Sequence, residues 1–377
     1  MMLESLGIVS LIILGLLVVA LMAQLHYFYR IFWKLAFYKP SPSLKQECEP
    51  VSVIIAARNE YVNLERNLRG ILEQDYPNFE VIVVNDCSWD DSQKLLEQMQ
   101  EEYKHLHVSQ LFEQEKYPTG KKFALTIGIK AAKHDLLFFT DADCTPASNQ
   151  WLRQMQSRFG QGKDIVLGYS PYNKKGGLLN LYIRFETFMT ALFYLSMSLK
   201  KDTFMGVGRN LAYRKDLFFK HKGFANHQHI MSGDDDLFIN AAANKNNVAI
   251  EISEETFVFS EPKKDFASWG KQKSRHMTTG KYYKPSHKLT LGIYYSSLFL
   301  FYGALIAALA VDLQTWPIVV GIFALRFISQ EIIFYAAAKK LKCTSIAGAL
   351  IFLDVMYMFY LMVYGTKGLF TKNQKEW

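Results

Sequence analysis

Short apolar runs alternate with amphipathic segments in the middle of the chain, and long uncharged runs lie at both ends. Segments 51–57, 79–85, 105–111 and 136–139 predict buried strands. One helix is predicted at 62–74 and another at 120–132. A helix between them is predicted to end at Met99, with Ser88, Asp90 or Asp91 as its N-terminal cap. Strands that alternate with helices indicate an α/β domain with a twisted, mostly parallel sheet, whose ligand lies at the carboxyl ends of the strands.

The apolar ends predict membrane segments. Residues 6–23, 289–311, 316–337 and 346–366 are each long enough to span a bilayer. Glu4 precedes the first run and an aromatic, basic stretch follows it, which favours an uncleaved anchor over a secretory signal. The predicted organisation is an anchor at 1–30, a soluble domain at 50–262, an interfacial amphipathic helix at 263–285 and about three membrane segments at 289–366.

The distribution of lysine and arginine predicts the orientation. The basic residues after the first and third spans place those two loops, and the middle domain, in the cytoplasm. The basic tail disagrees with four full crossings, and Asp354 interrupts the last segment, so whether that segment crosses fully stays open. We expect an integral membrane protein, most simply of a bacterial inner membrane. The residues concerned are Arg30, Lys34 and Lys39, then Lys339, Lys340 and Lys342, then Lys367, Lys372 and Lys375 of the tail.

Charge and cysteine content narrow the class of protein. The net charge of +8 suits a membrane-surface protein that handles an anionic nucleotide or lipid. Nucleic acid is not an expected partner, because no basic-aromatic recognition module is present. The four cysteines include no C-x-x-C pair, which predicts reduced, structural thiols.

Polar residues follow three of the predicted strands. Asp141 and Asp143 come directly after the fourth strand, and two carboxylates one residue apart are suited to a divalent cation that holds a diphosphate. A lone D-x-D is a weak signal. Three polar strand ends on one sheet edge are better explained by a ligand site than by solvated loops. The other residues are Arg58, Asn59 and Glu60 after the first strand, and Asn85 and Asp86 after the second.

Two later clusters of polar residues add candidate catalytic and phosphate-binding groups. Residues 232–240, SGDDDLFIN, give three adjacent carboxylates at a predicted helix start. The helix dipole stabilises these carboxylates only modestly, although they repel one another. A bound cation or a proton-accepting role better explains why three carboxylates occur together. Residues 264–284 read as a basic, aromatic helix that runs toward the second membrane span. In it Gln272, Arg275 and His276 lie on consecutive turns, as a diphosphate clamp requires.

These motifs, in this order, resemble the inverting membrane glycosyltransferases of family 2, which include cellulose, hyaluronan and chitin synthases and ceramide glucosyltransferases. The resemblance covers residues 50–285 and implies a GT-A fold. It rests jointly on SVIIAARNE, VIVVNDCSWDDS, GKKFALTIGI, FFTDADCTP, GVGRNLAYRKD, GDDDLFIN and QKSRH.

The resemblance also implies roles for individual residues. The acidic run would supply the general base, and the D-x-D pair would bind Mg²⁺ or Mn²⁺, with Asp143 the direct ligand and Asp141 beside it. Arg275 would neutralise the leaving diphosphate. The donor-binding set would be Arg58, Asn59, Glu60, Asp86, Lys121, Asp141, Gly208, Arg209, Asn210, Gln272, Arg275 and His276.

Two departures from the family pattern bear on function. The base motif is usually Thr-Glu-Asp or Glu-Asp, so the three aspartates leave its register ambiguous. Spacing to Leu237 favours Asp234, which we take as the base, while a direct reading of the acidic pair favours Asp235. His276 replaces the usual tryptophan that supports the acceptor sugar in polymerising members. That change favours the addition of a single sugar to a lipid or short glycan.

The predicted function is transfer of a sugar from a nucleotide-sugar donor, most simply a UDP-sugar, to a lipid or glycan hydroxyl. Alternatives are a processive polysaccharide synthase, a non-catalytic nucleotide-binding subunit of a synthase complex and, less favoured, a solute channel. Residues 177–199, apolar but interrupted by Arg184 and Glu186, are either a core helix or a segment at the membrane surface. Arg326, Glu331 and Asp354 are expected to face protein or a polar path.

Overall fold

A computed structural model describes residues 7–40, 47–113, 120–160 and 162–367 of the chain. The chain divides into two compact units. One comprises residues 39–282, and the other comprises residues 7–38 together with 283–365. The two units correspond to the alternating and the apolar parts of the sequence.

Nine strands and thirteen helices lie within the described residues. The strands are β1 Val51–Ala57, β2 Phe79–Asp86, β3 Leu106–Leu111, β4 Leu136–Phe139, β5 Cys144–Pro146, β6 Ile165–Leu167, β7 Leu211–Arg214, β8 Val248–Ile250 and β9 Val258–Ser260. The helices are α1 Ile8–His26, α2 Trp33–Ala36, α3 Tyr61–Leu72, α4 Ser92–Glu102, α5 Lys121–Ala131, α6 Trp151–Gln156, α7 Leu178–Leu199, α8 Lys215–Lys220, α9 Asp236–Ala242, α10 Phe266–His276, α11 Pro285–Val311, α12 Trp316–Lys340 and α13 Leu350–Tyr360.

Seven strands form one mixed sheet in the order β3-β2-β1-β4-β7-β6-β8. β1 to β4 are mutually parallel, as predicted, so their carboxyl ends share one edge. β7 is antiparallel to both of its neighbours, β4 and β6, while β6 and β8 are parallel. A second, two-stranded sheet pairs β5 with β9. The mostly parallel α/β class expected from the sequence is confirmed.

The first strands are apolar on both faces because helices cover both sides of the sheet. Every residue of β1 is buried. On one side α5 packs on β1 and β2 through Gly128. A Cβ at that position would lie 2.7 Å from Ile54 Cγ2 and 3.2 Å from Val84 Cγ2, so a side chain would push the helix outward. This glycine therefore sets how closely the C-terminal half of α5 packs on β1 and β2.

α7 is a core helix. Nearly all its side chains from Tyr182 to Ser198 are buried. The Tyr194 hydroxyl donates a hydrogen bond of 2.6 Å to the carbonyl of Gly168, next to β6. Of the two readings that the sequence left open for this segment, the structure supports the core helix.

The basic segment 264–284 is not one continuous helix, contrary to the prediction. α10 ends at His276, where the Thr278 and Thr279 hydroxyls donate to the carbonyls of Arg275 and His276 at 2.7 and 3.0 Å. A short 3₁₀ turn follows at Gly280–Tyr282. Pro285 begins α11, and a residue before proline is disfavoured in helical conformation.

The other unit contains four helices that are long and apolar enough to cross a bilayer. They span Ile8–Ala36, Pro285–Val311, Leu313–Lys340 and Thr344–Gly365. The first continues from α1 through a π-helical turn at Tyr27–Phe32 into α2. The remaining residues of the tail, 368–377 with Lys372 and Lys375, lie outside the described residues.

A buried ion pair links these helices. Arg326 Nη2 donates to Asp354 Oδ2 at 2.9 Å and to Gln24 Oε1 at 3.2 Å. Arg326 Nη1 donates to Gln330 Oε1 at 2.9 Å. Asp354 also accepts from Gln330 Nε2 at 3.0 Å and from the Tyr302 hydroxyl at 2.8 Å. Both charged residues are 1% exposed, so the expectation that they face protein is confirmed.

Candidate active site

The ends of β1 and β2 are held together by side chains of their own loops. Asn59 has a left-handed backbone, with φ of 56°. Its N–H donates to Ser88 Oγ at 2.8 Å and its Oδ1 accepts from the Trp89 N–H at 3.0 Å. Asp86 is fully buried, and its Oδ2 accepts from the Gly120 N–H at 3.0 Å. The end of β2 is thereby fixed to the start of α5.

Arg58 lies on the same edge. Desolvation and the Asp86 carboxylate raise the pKa of the Cys87 thiol, and the positive charge of Arg58 opposes that rise. Arg58 therefore lies near Cys87, the residue after Asp86. Arg58 is partly exposed to solvent.

The two aspartates of the D-x-D follow β4. Asp143 Oδ2 accepts from the Ser260 hydroxyl at 3.3 Å, and Asp143 Oδ1 accepts from the Cys144 thiol at 3.2 Å. Burial raises the pKa of Glu60, and the nearby carboxylates of Asp143 and Asp141 raise it further. Three carboxylates from two strand ends thus share one corner of the site.

Lys121, the first residue of α5, connects two of the predicted clusters. Its Nζ lies 2.9 Å from Asp141 Oδ1 and 3.2 Å from Asp234 Oδ2. Burial alone would lower the pKa of Lys121, but the carboxylates of Asp141, Asp234 and Asp235 outweigh it and raise the pKa. The D-x-D and the acidic run therefore lie within the reach of one ammonium group.

The three aspartates of the acidic run have different surroundings. Asp235 caps α9, and its Oδ1 accepts from the Asp236 N–H at 2.7 Å. Its Oδ2 accepts from the Gly208 N–H at 2.7 Å. Desolvation and the charges of Asp234 and Asp236 raise the pKa of Asp235 to about 7. Asp236 is buried and accepts a hydrogen bond from the Thr279 hydroxyl.

Asp234 shows the opposite shift. Desolvation would raise its pKa, but the ammonium group of Lys121 and local hydrogen bonds lower it overall. Adjacent carboxylates with pKa values pushed apart are typical of acid–base sites. The sequence spacing that favoured Asp234 contains no information on this difference.

The Gly208–Asn210 turn carries two unlike side chains. Asn210 is fully buried: its Nδ2 donates to the carbonyls of Tyr169 and Thr256 at 2.9 and 2.8 Å, and its Oδ1 accepts from Trp151 Nε1 at 3.0 Å. These bonds give Asn210 a structural role in the core. The neighbouring Arg209 lies close enough to Asp143 and Asp141 for their charges to help raise its pKa against the effect of burial.

α10 brings the third predicted cluster to the same cleft. Gln272 Nε2 lies 3.5 Å from the Tyr172 hydroxyl. Within the described part of the chain, the buried Nε of Arg275 has no hydrogen-bond partner. Desolvation lowers the pKa of His276, and so do positive charges, yet its side chain is in contact with solvent. The charges that act on His276 belong to Lys273, Arg275, Arg209 and Lys121, which places α10 near the Gly208–Asn210 turn and the start of α5.

A buried ion pair fixes α10. Lys273 Nζ pairs with Glu186 of α7, and both side chains are 8% exposed. Trp269, also on α10, packs edge-on against Tyr182 with ring centroids 5.5 Å apart. The helix that carries Gln272 and Arg275 is therefore anchored to the core helix of its own unit.

Sequence reasoning missed two further residues. Lys122 is 7% exposed, and its Nζ donates to the carbonyls of His227 and Ile230 at 2.7 and 2.8 Å, in the loop before the acidic run. Tyr172 contacts both Arg209 and Gln272. The GKK motif contains Lys122, so the sequence held a signal for that residue. The loop SPYNKK contains no signal that singles out Tyr172.

The donor set fits a divalent cation that a substrate helps to hold. No group of three His, Cys, Asp or Glu side chains among residues 7–40, 47–113, 120–160 and 162–367 could hold a metal by itself. Asp141 and Asp143 offer two carboxylates to such an ion. Magnesium-like ions commonly combine one or two carboxylates with substrate phosphates.

We expect Asp235→Asn to change how stability depends on pH. A carboxyl group with its pKa raised to about 7 in the folded state, from an ordinary 3.9, is disfavoured in its charged form, so it costs stability as pH rises from about 4 to 7. The melting temperature of the variant, relative to the wild type, should therefore increase between pH 5 and pH 8. Thermal unfolding of the purified protein measures it.

The control for that measurement is Asp75→Asn. Asp75 is exposed, and hydrogen bonding to Gln150 and the charge of Arg153 lower its pKa. The difference in melting temperature between Asp75→Asn and the wild type should be constant from pH 5 to pH 8. A constant difference for Asp235→Asn as well would show that Asp235 titrates like an ordinary aspartate.

Comparison with known proteins agrees with this geometry. Residues 52–221 match the family described as glycosyl transferase family 2. Glycosyltransferase AglE of Haloferax volcanii is 32% identical over 188 residues, 49% of this chain and 58% of the relative. A poly-beta-1,6-N-acetyl-D-glucosamine synthase of Staphylococcus epidermidis is 32% identical over 98 residues, 26% of this chain and 23% of the relative. The chain thus spans little more than half of the first relative and about a quarter of the second.

One solved structure shares the fold along almost the whole chain. The mannosyltransferase PcManGT from Pyrobaculum calidifontis, in complex with GDP-Man and Mn²⁺, is 19% identical, with a TM-score of 0.57 over 93% of this chain and 99% of that chain. At that identity the likeness shows the fold alone. The sheet order, the motifs in sequence and the structural likeness together confirm a GT-A fold for residues 39–282. Over residues 52–221, which are less than half of the chain, the sequence is similar to glycosyl transferase family 2.

Proposed function

We propose that this protein is a membrane-bound, inverting glycosyltransferase. It moves a sugar from a nucleotide-sugar donor, most simply a UDP-sugar, to a hydroxyl group of a lipid or short glycan. The match of residues 52–221 to glycosyl transferase family 2 supports the reaction class, while the donor and the acceptor are inferred from the site. GDP-sugars are the second donor class to test, because PcManGT was solved with GDP-Man.

One observation carries the proposal. The ammonium group of Lys121 lies between Asp141 and Asp234, which joins the D-x-D to the acidic run across the cleft. A sugar diphosphate held at the D-x-D would therefore place its anomeric carbon near a carboxylate able to accept a proton. That is the arrangement a single in-line displacement needs.

We assign the general base to Asp235 in preference to Asp234. A base works best with a pKa near the operating pH, and the pKa of Asp235 is raised to about 7. The Gly208 and Asp236 N–H groups orient its carboxylate. Asp235 takes the proton of the acceptor hydroxyl while that oxygen bonds to the anomeric carbon and the bond to the diphosphate breaks. The configuration inverts, and Asp234 keeps Lys121 in place.

The leaving diphosphate gains negative charge as its bond to the sugar breaks. Arg275, whose Nε is buried and unpaired within the described residues, lies on the helix wall of the cleft and offers a guanidinium to that charge. A Mg²⁺ or Mn²⁺ ion held by Asp143 and Asp141 would supply further electrostatic stabilisation of the diphosphate. Asp86, with Arg58, Asn59 and Glu60, would line the nucleotide pocket at the neighbouring strand ends.

Four long apolar helices within the described residues support membrane attachment. The basic residues after the first and third helices favour a cytosolic catalytic domain, where nucleotide sugars are available, and a bacterial inner membrane is the simplest location. The sequence leaves open whether the last helix crosses the bilayer fully, and that question is part of this proposal. A synthase-complex partner is compatible with it but has no specific support.

A single addition is favoured over polymerisation because His276 stands where polymerising relatives carry a tryptophan. An imidazole offers less apolar surface for stacking a sugar ring than an indole does. The match to a poly-N-acetylglucosamine synthase covers only 23% of that protein and carries no whole-protein activity.

A donor screen tests the proposal. Membranes from cells that overproduce the protein are given radiolabelled UDP- and GDP-sugars, and lipid and polymer fractions are examined by mass spectrometry. We expect a lipid or short glycan heavier by one sugar, and Asp143→Ala should reduce its formation at least 100-fold at limiting Mn²⁺ through loss of a carboxylate ligand. Glu254→Ala, a carboxylate change at an exposed position, is the matched control.

Each other outcome selects an alternative. A ladder of products would identify a processive synthase. Nucleotide binding without transfer or hydrolysis would identify a non-catalytic subunit. Equal activity of Asp143→Ala and the wild type would remove the D-x-D from the mechanism.

A further inference from the structure

Among the described residues, one N–H donor of Arg209 has no protein partner. Its guanidinium carbon lies 4.4 Å from the centre of the Tyr172 ring, and Nη2 is 3.3 Å from the Ser170 carbonyl. Nη1 is buried but has no hydrogen-bond partner in the described part of the chain. An unpaired donor on a buried charge costs free energy, so its retention points to a ligand.

Tyr172 contacts the two elements that carry such groups. Its ring supports Arg209 in the Gly208–Asn210 turn, and its hydroxyl lies 3.5 Å from Gln272 Nε2 on α10. The buried Nε of Arg275, one turn along α10 from Gln272, is likewise unpaired within the described residues. One tyrosine thus contacts the guanidinium group of Arg209 and, through Gln272, the helix that carries Arg275.

The backbone of Tyr172 is itself fixed. It forms a β-bridge with Ser260, whose hydroxyl donates to Asp143 Oδ2 at 3.3 Å. The tyrosine is 7% exposed. Its position is therefore set relative to the D-x-D, and so is that of the Arg209 guanidinium that stacks on it.

We propose that Tyr172 is a positioning residue that aims Arg209 at the diphosphate of the donor, so that the diphosphate is held by two guanidinium groups, those of Arg209 and Arg275. The inference rests on the proposed function and adds a second cationic contact to it. Planar guanidinium groups suit phosphate oxygens because they offer paired N–H donors, and stacking on an aromatic ring fixes their plane. Tyr172 itself does not touch the reacting atoms.

The test compares binding of UDP and UMP, with GDP and GMP in parallel, to the full-length protein in detergent with Mn²⁺, by titration calorimetry. Tyr172→Leu removes the ring, and we expect about tenfold weaker binding of the diphosphate, the size of a desolvated cation–π contact. Binding of the monophosphate should change less than about twofold. Tyr172→Phe keeps the ring and should stay within about threefold of the wild type for both ligands.

The remaining outcomes would contradict the inference. Equal weakening of UDP and UMP by Tyr172→Leu would show a merely structural role, and wild-type binding of both would overturn the inference. If Tyr172→Leu does not fold, Arg209→Lys replaces it: the charge remains, the planar stack is lost, and the same diphosphate-selective loss is expected. A wild-type protein that binds no nucleotide would refute the proposed function itself, while an active wild type with an unaffected variant would refute only the role of Tyr172.

Discussion

Asp235→Asn should lower turnover by about 10²–10⁴-fold, the contribution of a positioned general base. The amide is close to the carboxylate in size but cannot accept the proton of the acceptor hydroxyl. Donor affinity should change little, because Asp235 bonds to the backbone of Gly208 and Asp236 and makes no ion pair with Lys121 in the described structure. Initial rates measure turnover, and a separate nucleotide-binding assay measures donor affinity.

The pH profile provides an independent check. Wild-type turnover should fall as pH decreases through about 7, because protonated Asp235 cannot act as a base. The matched variant is Asp234→Asn, which removes one of the two carboxylate partners of Lys121 and should mainly weaken donor binding. If Asp234→Asn loses turnover with donor affinity intact while Asp235→Asn works normally, the base is Asp234, as the sequence spacing suggested.

Arg326→Met should destabilise the apolar unit by about 3–5 kcal/mol. Methionine removes the guanidinium that pairs with Asp354 and leaves a carboxylate that is 1% exposed without its cation. Removing one partner of a buried ion pair is far costlier than removing both. Unfolding in detergent, followed by tryptophan fluorescence against denaturant, measures the loss.

The double variant Arg326→Met with Asp354→Leu separates charge from packing. Because no unpaired charge remains, most of the lost stability should return. Lys339→Met, an equivalent change at an exposed position, should alter stability by no more than about 0.5 kcal/mol. A double variant as unstable as the single one would mean that the network acts through shape and not through charge.

Much of the catalytic sheet could be predicted because its strands are short apolar runs that end in polar residues. The prediction of β1, β2 and β4 needed only local periodicity, and parallel pairing then placed Asp86, Asp141 and Asp143 on one edge. The antiparallel position of β7 between β4 and β6 could not be predicted, since its pairing depends on residues far away in the chain.

The finer features of the site depend on tertiary contacts that no local pattern records. The pKa of Asp235 reflects burial and two neighbouring aspartates, whereas Asp234 differs by its contact with Lys121. Tyr172 became visible only through its ring under Arg209. The end of α10 at His276 is a different case, because the threonines, Gly280 and Pro285 that follow it were present in the sequence as helix-ending signals.

The Arg326–Asp354 pair also has a consequence for how the chain is made. The two residues are separated by 28 positions, so at ordinary translation rates the arginine emerges roughly 1–6 s before its counter-ion. A lone guanidinium in lipid is costly, so we expect the third apolar helix to be retained at the insertion machinery until the fourth has been synthesised. The two helices would then enter the lipid together, with the charges of Arg326 and Asp354 already paired.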